Sequence, residues 1–233
     1  MKEVAFLVPI CSYNNPTGET EEQHFDKLFL TSFLKHQYDC KVRIYCGYND
    51  DDPVYSNEDN RTKIQDKINL VGDVHITWIS LTEEYKGKPA QIWTELSKHA
   101  IVEGYEYLFI VGDDIVFPND NGWIIRMIKS LKTSDNLGIA AGDSGNPNLP
   151  MTQFMIHKKH YDMFGWIFPP QIDAWFCDNW IQEIYPKKNI HYFPEYKLLN
   201  KGGEPRYRPK DDRRLCAMLV KRHKPRVIRQ LNK

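Results

Sequence analysis

Two phosphate-binding signatures are missing from this chain. It contains neither G-x-x-x-x-G-K-[ST] nor G-x-G-x-x-G. P-loop and dinucleotide-binding readings therefore lose the glycine-lined turn they depend on. Paired cysteines are missing too. Cys11, Cys40, Cys46, Cys177 and Cys216 are odd in number and form no C-x-x-C, which argues against a disulfide framework and a zinc site and fits reducing surroundings. No stretch approaches the ~20 apolar residues that span a bilayer. Met-Lys-Glu leads straight into an apolar run, unlike a secretory leader. The expectation is a soluble, cytoplasmic protein, alone or as a module of a larger one. Net charge is absent as well: 31 basic and 31 acidic residues cancel, so no nucleic-acid partner is expected for the molecule as a whole.

What is present is enough for one sizeable core. The chain has 233 residues, 41% of them apolar, which suits a single catalytic domain with two unequal halves, 1–135 and 136–205, sharing a groove. Charge is unevenly spread. Arg206 to Lys233 holds eleven Lys or Arg against two Asp, leaving a basic end (206–233) that suits a diphosphate or an anionic surface as readily as a solvated tail.

Apolar runs over 4–10, 42–46 and 74–81 read as strands, as does the run that opens at Tyr107 and ends in Gly112-Asp113-Asp114, with three more apolar residues before Pro118. Helical spacing appears at Phe25–Phe33, near 61–67, from Pro89 to Ala100, and at Trp123–Leu131. Pro89 suits a first helical turn. Strands alternating with helices predict an α/β fold with a mostly parallel sheet flanked by helices. Beyond residue 135, short strands are expected at 138–141, 152–156 and 192–193, and helices at 160–164 and 174–184.

The chemistry concentrates around Phe109-Ile110-Val111-Gly112-Asp113-Asp114-Ile115. Two carboxylates ending a buried strand need partners, and carboxylate oxygens suit hard cations such as Mn²⁺ or Mg²⁺. Parallel sheets bind ligands outside the carboxyl ends of their strands. Asp113 and Asp114 are thus candidates for a metal and diphosphate site, against the alternative of a solvated turn with a capping Asp. Asp178, in Trp175-Phe176-Cys177-Asp178-Asn179-Trp180, is a candidate general base, because partial desolvation raises a carboxylate's proton affinity. Its alternative is a first-turn helix carboxylate, with Asp173 as the rival base. Trp175 and Trp180 suit the apolar face of a sugar acceptor. His191 is a candidate third metal ligand, whereas His157 and His160 read as surface.

The order of these features resembles the GT-A-fold nucleotide-sugar glycosyltransferases, specifically the large inverting, family 2-like group, over roughly residues 4–185. Val8-Pro9-Ile10-Cys11-Ser12-Tyr13-Asn14 resembles the first nucleotide-binding turn, and Asp50 to Asp52 the acidic residue near the base. Lys86-Gly87-Lys88-Pro89-Ala90-Gln91 is similar to the segment beside the nucleotide. Gly112-Asp113-Asp114 sits on the D-x-D element, with Val111 in place of its first Asp. Phe164-Gly165-Trp166 and Cys177-Asp178-Asn179-Trp180 resemble the segments around the catalytic base. The resemblance implies a GT-A fold with a smaller acceptor-side sheet and a nucleoside-diphosphate sugar donor, commonly UDP-linked. It implies donor contacts from Pro9, Ile10, Tyr13, Asp50, Lys88, Gln91, Asp113 and Arg206, with Lys201 and Arg208 closing beside Arg206. Mn²⁺ or Mg²⁺ at Asp114, Asp113 and His191 would assist a transfer to a glycan or glycoprotein hydroxyl, with inversion and with Asp178 as base. Two alternatives remain: a non-catalytic nucleotide-sugar-binding module, suggested by Val111 and Cys177, and a sugar-nucleotide pyrophosphorylase, which would want a Gly- and Arg-rich loop after the first strand.

Overall fold

A computed structural model describes residues 3–35, 38–70, 74–146, 150–203, 206 and 211–233. Its centre is a seven-stranded sheet ordered β3-β2-β1-β4-β7-β6-β8. The strands are β1 (Glu3–Pro9), β2 (Lys41–Asn49), β3 (Val74–Leu81), β4 (Tyr107–Ile110), β6 (Ile139–Asp143), β7 (Phe154–His157) and β8 (Ile190–Lys197). A separate ribbon pairs β5 (Ile115–Val116) with β9 (Leu199–Asn200). The first four strands are mutually parallel, with Phe6 opposite both Ile44 and Phe109. β7 runs against β4 and β6, and β8 is parallel to β6. The sheet is therefore mostly parallel and draws on both halves of the chain.

Alternation along the central strands explains the two cores. Val4, Phe6 and Val8 of β1 face one side, Ala5 and Leu7 the other, and all five are fully buried. A continuous apolar strand is what a sheet covered on both faces requires. One face is covered by a π-helical turn (Phe25–Leu30) running into α1 (Thr31–Phe33), by α2 (Glu58–Asn69) and by α4 (Trp123–Thr133). Phe6 meets Phe33, Phe109 and Trp123 there at ring separations of 4.9–6.1 Å. The other face is covered by α3 (Pro89–Val102), α5 (Lys159–Phe164), α6 (Cys177–Ile184) and α7 (Arg213–Leu231).

Several expectations change. The strand that opens at Tyr107 does end ahead of the two carboxylates, and what the sequence does not indicate is a second strand beyond them. β4 stops at Ile110, because the chain turns through Gly112-Asp113-Asp114 and re-forms as β5 in the small ribbon. The basic end is not a bare tail: α7 buries Cys216, Leu219, Val220 and Val227 against the second core. α6 begins at Cys177 rather than Ala174, because Phe176 adopts a left-handed backbone (φ 70°) that no helix accommodates. His157 and His160 are buried, not on the surface. His160 bonds the Tyr185 hydroxyl (2.8 Å) and the Ile167 carbonyl (3.0 Å), and burial holds its pKa down at about 4. The five cysteines are free thiols. Among the described residues, no helix is long and apolar enough to cross a membrane.

Candidate active site

The strand order reverses between β1 and β4: β2 and β3 extend to one side of β1, and the chain then returns to place β4 on the other. Such a switch point leaves a crevice outside the carboxyl ends, where α/β proteins bind ligands. A cleft of about 730 Å³ lies there. Pro9, Ile10, Cys11 and Tyr13 reach it from the end of β1, and Gly112, Asp113 and Asp114 from the end of β4. Ser144, Gly145 and Asn146 follow β6. β7 runs the opposite way, so its beginning, Gln153 and Phe154, arrives at the same edge. Trp93 of α3 fastens the switch point: its indole N–H donates to the carbonyls of Leu7 (3.0 Å) and Val111 (3.1 Å).

Asp113 is 1% exposed. A carboxylate there needs a cation, and Arg206 provides one by donating to both of its oxygens. The same guanidinium donates to the Cys11 carbonyl at 3.0 Å, tying the distal chain to the loop after β1. Burial, further helped by the nearby carboxylates, pushes the Cys11 thiol up to about 11 despite Arg206. Asp114 is half-buried beside this pair. Burial, and then the charge of Asp113, raise its carboxyl to about 6, against the opposing pull of Arg206. Asn200 donates its side-chain amide to Asp114 at 3.2 Å, and the Lys201 N–H donates to the Asp114 carbonyl at 2.9 Å. The β5–β9 ribbon thus exists where it does to frame Asp114. Gly202 is required at that approach, since a Cβ there would come within 2.2 Å of Oδ2 and 2.6 Å of the Cβ of Asp114.

Trp175, Phe176 and Asp178 also line the cleft. Asp178 lies in the first turn of α6, bonded from the Asn179 N–H at 2.9 Å, and burial raises its pKa. Phe176, a bulky residue held at positive φ immediately before it, is the kind of strained backbone that clusters at functional sites. Trp175 is 44% exposed and presents a free aromatic surface.

Of the residues singled out in the sequence, Pro9, Ile10, Tyr13, Lys88, Asp113, Asp114, Trp175, Asp178 and Arg206 come together in this cleft, with Lys201 at its rim. Four do not. Asp50 is exposed in the turn after β2, its N–H bonded to the Leu81 carbonyl. Gln91 spends its amide on the carbonyls of Pro169 (3.2 Å) and Ile172 (2.6 Å), holding the segment before α6 against α3. Trp180 is fully buried among Phe164, Trp166 and His223 and offers no face to an acceptor. His191 pairs with Ala140 toward the amino end of β6, away from the cleft, and bonds Ser134 at 3.1 Å. The rival Asp173 receives the Ala90 N–H on its backbone carbonyl and is not part of the cleft wall. Arg208 lies outside the described residues.

Two neighbours of Asp50 do more than it does. Asp52, fully buried, accepts from the Ser12 N–H (2.8 Å), the Ser12 hydroxyl (2.7 Å), and the N–H groups of Val54 and Tyr55. It clamps the loop after β1. Asp51 accepts from the Tyr13 hydroxyl (2.6 Å) and pairs with Lys86 (2.5 Å), whose ammonium sits over the Tyr13 ring. The sequence marks the acidic turn, but which of three adjacent carboxylates faces the loop depends on the turn's geometry.

No protein family model matches the chain, and no curated protein matches it either. Solved structures do. A nucleoside-diphosphate-sugar pyrophosphorylase from Vibrio cholerae superposes with a TM-score of 0.50 at 12% identity, over 82% of this chain and 91% of that one. A putative glucose-1-phosphate thymidylyltransferase from Bacillus anthracis, in complex with sucrose, gives 0.50 at 12% identity over 83% and 86%. The fold is that of the nucleotide-diphospho-sugar transferases. By their names both similar proteins are nucleotidyltransferases. At such identity the likeness concerns the fold and leaves the reaction to be argued from the cleft.

Proposed function

We propose that the protein is a glycosyltransferase that moves a sugar from a nucleoside-diphosphate sugar to an acceptor hydroxyl with inversion. The observation that carries this reading is that Asp178, a desolvated carboxylate with raised proton affinity, lines the same cleft as the Asp113–Asp114 turn. A group so placed suits proton removal from an attacking hydroxyl. Trp175 beside it offers the flat apolar surface on which a glycan acceptor can stack. Pro9, Ile10 and Tyr13 line the donor end, and Lys88, Lys201 and Arg206 bring cations to it. The resemblance noted in the sequence makes uridine the expected base.

The donor set around Asp114 fits a hard cation. Its carboxylate is half-buried and positioned by an N–H of the Asn200 amide, and its neighbour Asp113 is already engaged by Arg206. Among the described residues, no three His, Cys, Asp or Glu side chains gather into a cage. One carboxylate, completed by phosphate oxygens and water, is how Mg²⁺ commonly binds. Mn²⁺ or Mg²⁺ held there would supply charge neutralisation for a departing diphosphate. His191 has no part in this arrangement.

A second reading, nucleotidyl transfer to a sugar phosphate, draws support from the names of the similar structures. Against it, the loop from Cys11 to Gly18 contains no Lys or Arg and lacks the Gly-rich, Arg-containing pattern expected after the first strand of such an enzyme. One experiment separates the two. Purified protein is offered nucleotide sugars with Mn²⁺ and acceptor glycans in one arm, and nucleoside triphosphates with sugar 1-phosphates in the other. Release of nucleoside diphosphate, reduced about 10²–10⁴-fold by Asp178→Asn with donor binding retained, is expected. Release of pyrophosphate in the second arm alone overturns the proposal in favour of the second reading.

A further inference from the structure

A second pocket, of about 370 Å³, opens between α7 and the segment after α5, outside the cleft. Phe164 and Trp166 form its apolar wall, stacked on each other at 4.7 Å. Arg222, Arg226 and Arg229 line the opposite side. Their spacing of four and three places the three guanidinium groups along one face of the helix. Among the described residues no acidic side chain lines the pocket, and none occurs in the sequence between Arg213 and Lys233. Like charges at such spacing destabilise a helix unless an anion sits among them. The aromatic wall supports the cluster: the Arg226 guanidinium carbon lies 5.5 Å from the centre of the Phe164 ring. His223, packed 5.3 Å from Trp166, carries a buried Nδ1 with no hydrogen-bond partner among the described residues. A buried polar atom left this way calls for a ligand or water.

We propose that this pocket binds the phosphate group of a phosphorylated ligand, independently of the reaction in the cleft. Guanidinium forks match phosphate oxygens bidentately, and three of them suit a group carrying two negative charges. The same stretch of chain that contributes Trp166 here contributes Phe168 and Trp175 to the cleft, so an occupant lies directly behind the acceptor wall. The phosphate can belong to a small soluble molecule or to a lipid headgroup, and the chemistry that recognises it is shared.

The test uses the full chain in EDTA, which silences cation-dependent binding in the cleft. Pyrophosphate is titrated by calorimetry, and vesicles of phosphatidylcholine with phosphatidic acid are tested by co-sedimentation. Binding of either probe is expected, weakened on the order of tenfold or more by Arg226→Gln/Arg229→Gln, because each lost charge-assisted contact costs about a factor of ten. Both arginines are exposed, so the fold should be retained. Lys221→Gln/Lys224→Gln, which removes equal charge from the same helix but outside the pocket, should change binding little. Pyrophosphate binding assigns a soluble source, and vesicle binding alone a lipid one. The proposal is overturned if neither probe binds, if the arginine variant binds as tightly as the parent, or if the lysine variant weakens binding equally.

Discussion

Asp114 carries an electrostatic cost that its position imposes. A carboxyl whose folded pKa rises from 3.8 to about 6 prefers its proton more in the folded state than in the unfolded one. Stability is therefore lost as pH rises through that interval, and the full penalty applies above it. Asp114→Asn should raise stability by roughly 1–2 kcal/mol at neutral pH, with the gain vanishing below about pH 4. Cation-dependent donor binding needs the ionised form, so in the parent protein it should strengthen as pH rises through about 6 and be lost in the variant. Thermal melts and Mn²⁺-dependent calorimetry across that range check both. A variant less stable than the parent at pH 7 contradicts this account of Asp114. Asp113 is held by a partner instead. It is buried and depends on Arg206, so Arg206→Gln leaves an unpaired charge and should cost roughly 3 kcal/mol. The double variant Arg206→Gln/Asp113→Asn should recover most of that loss in urea unfolding, since no buried charge then remains. Equal destabilisation of single and double variants would sink the pairing argument. From sequence, Asp113 and Asp114 were visible because charge seldom follows an apolar run without cause. Their division of labour was not, since it is set by Arg206, which lies 93 residues away.

The ribbon of β5 and β9 illustrates what a short element can do. It contains two residue pairs, too few to be stable alone, and it survives because Ile115 is buried in the core while Asn200 and Gly202 close around Asp114. Gly202→Ala should disturb the site far more than the fold. The added methyl overlaps the Asp114 carboxylate, so Asp114 or the ribbon must move. The expected result is a melting temperature within a few degrees of the parent and at least a tenfold loss of donor affinity, since small misplacements at a site are costly. Parent-like donor affinity would show that this close approach is not needed. Long elements with a clean period, such as α4 and β3, could be read directly. A two-residue strand has no period to read, and nothing local records that the chain takes a new partner, β9, after the acidic turn.

At the scale of the whole molecule, both faces of the sheet must be sealed. α7 seals part of the second face with Cys216, Leu219, Val220 and Val227, although Pro225 interrupts its hydrogen bonding. A chain ending at Asp212 would expose Trp180, Ile181 and Ile184 of α6 together with neighbouring core. It should lose cooperative unfolding and bind a hydrophobic dye, as loosely packed states do. A sharp, parent-like melt for the shortened chain would instead mean that α7 is only an appendage. High basic charge concealed this helix from sequence reading. Its few apolar positions give a weak stripe amid the arginines, and their burial becomes evident only once α6 is in place beside it.

Local order along the chain was sufficient to establish the alternating strands and helices, the parallel arrangement of the first four strands, and the acidic turn at the end of β4. Those properties rest on periodicity and on the cost of burying charge, which are written into neighbouring residues. Tertiary structure alone decided that Asp178 shares a cleft with that turn while Trp180 is buried in the core, that Gln91 is a brace, and that His191 stands apart. Such outcomes depend on which strand ends meet at the switch point, and no spacing of residues along a chain encodes that meeting.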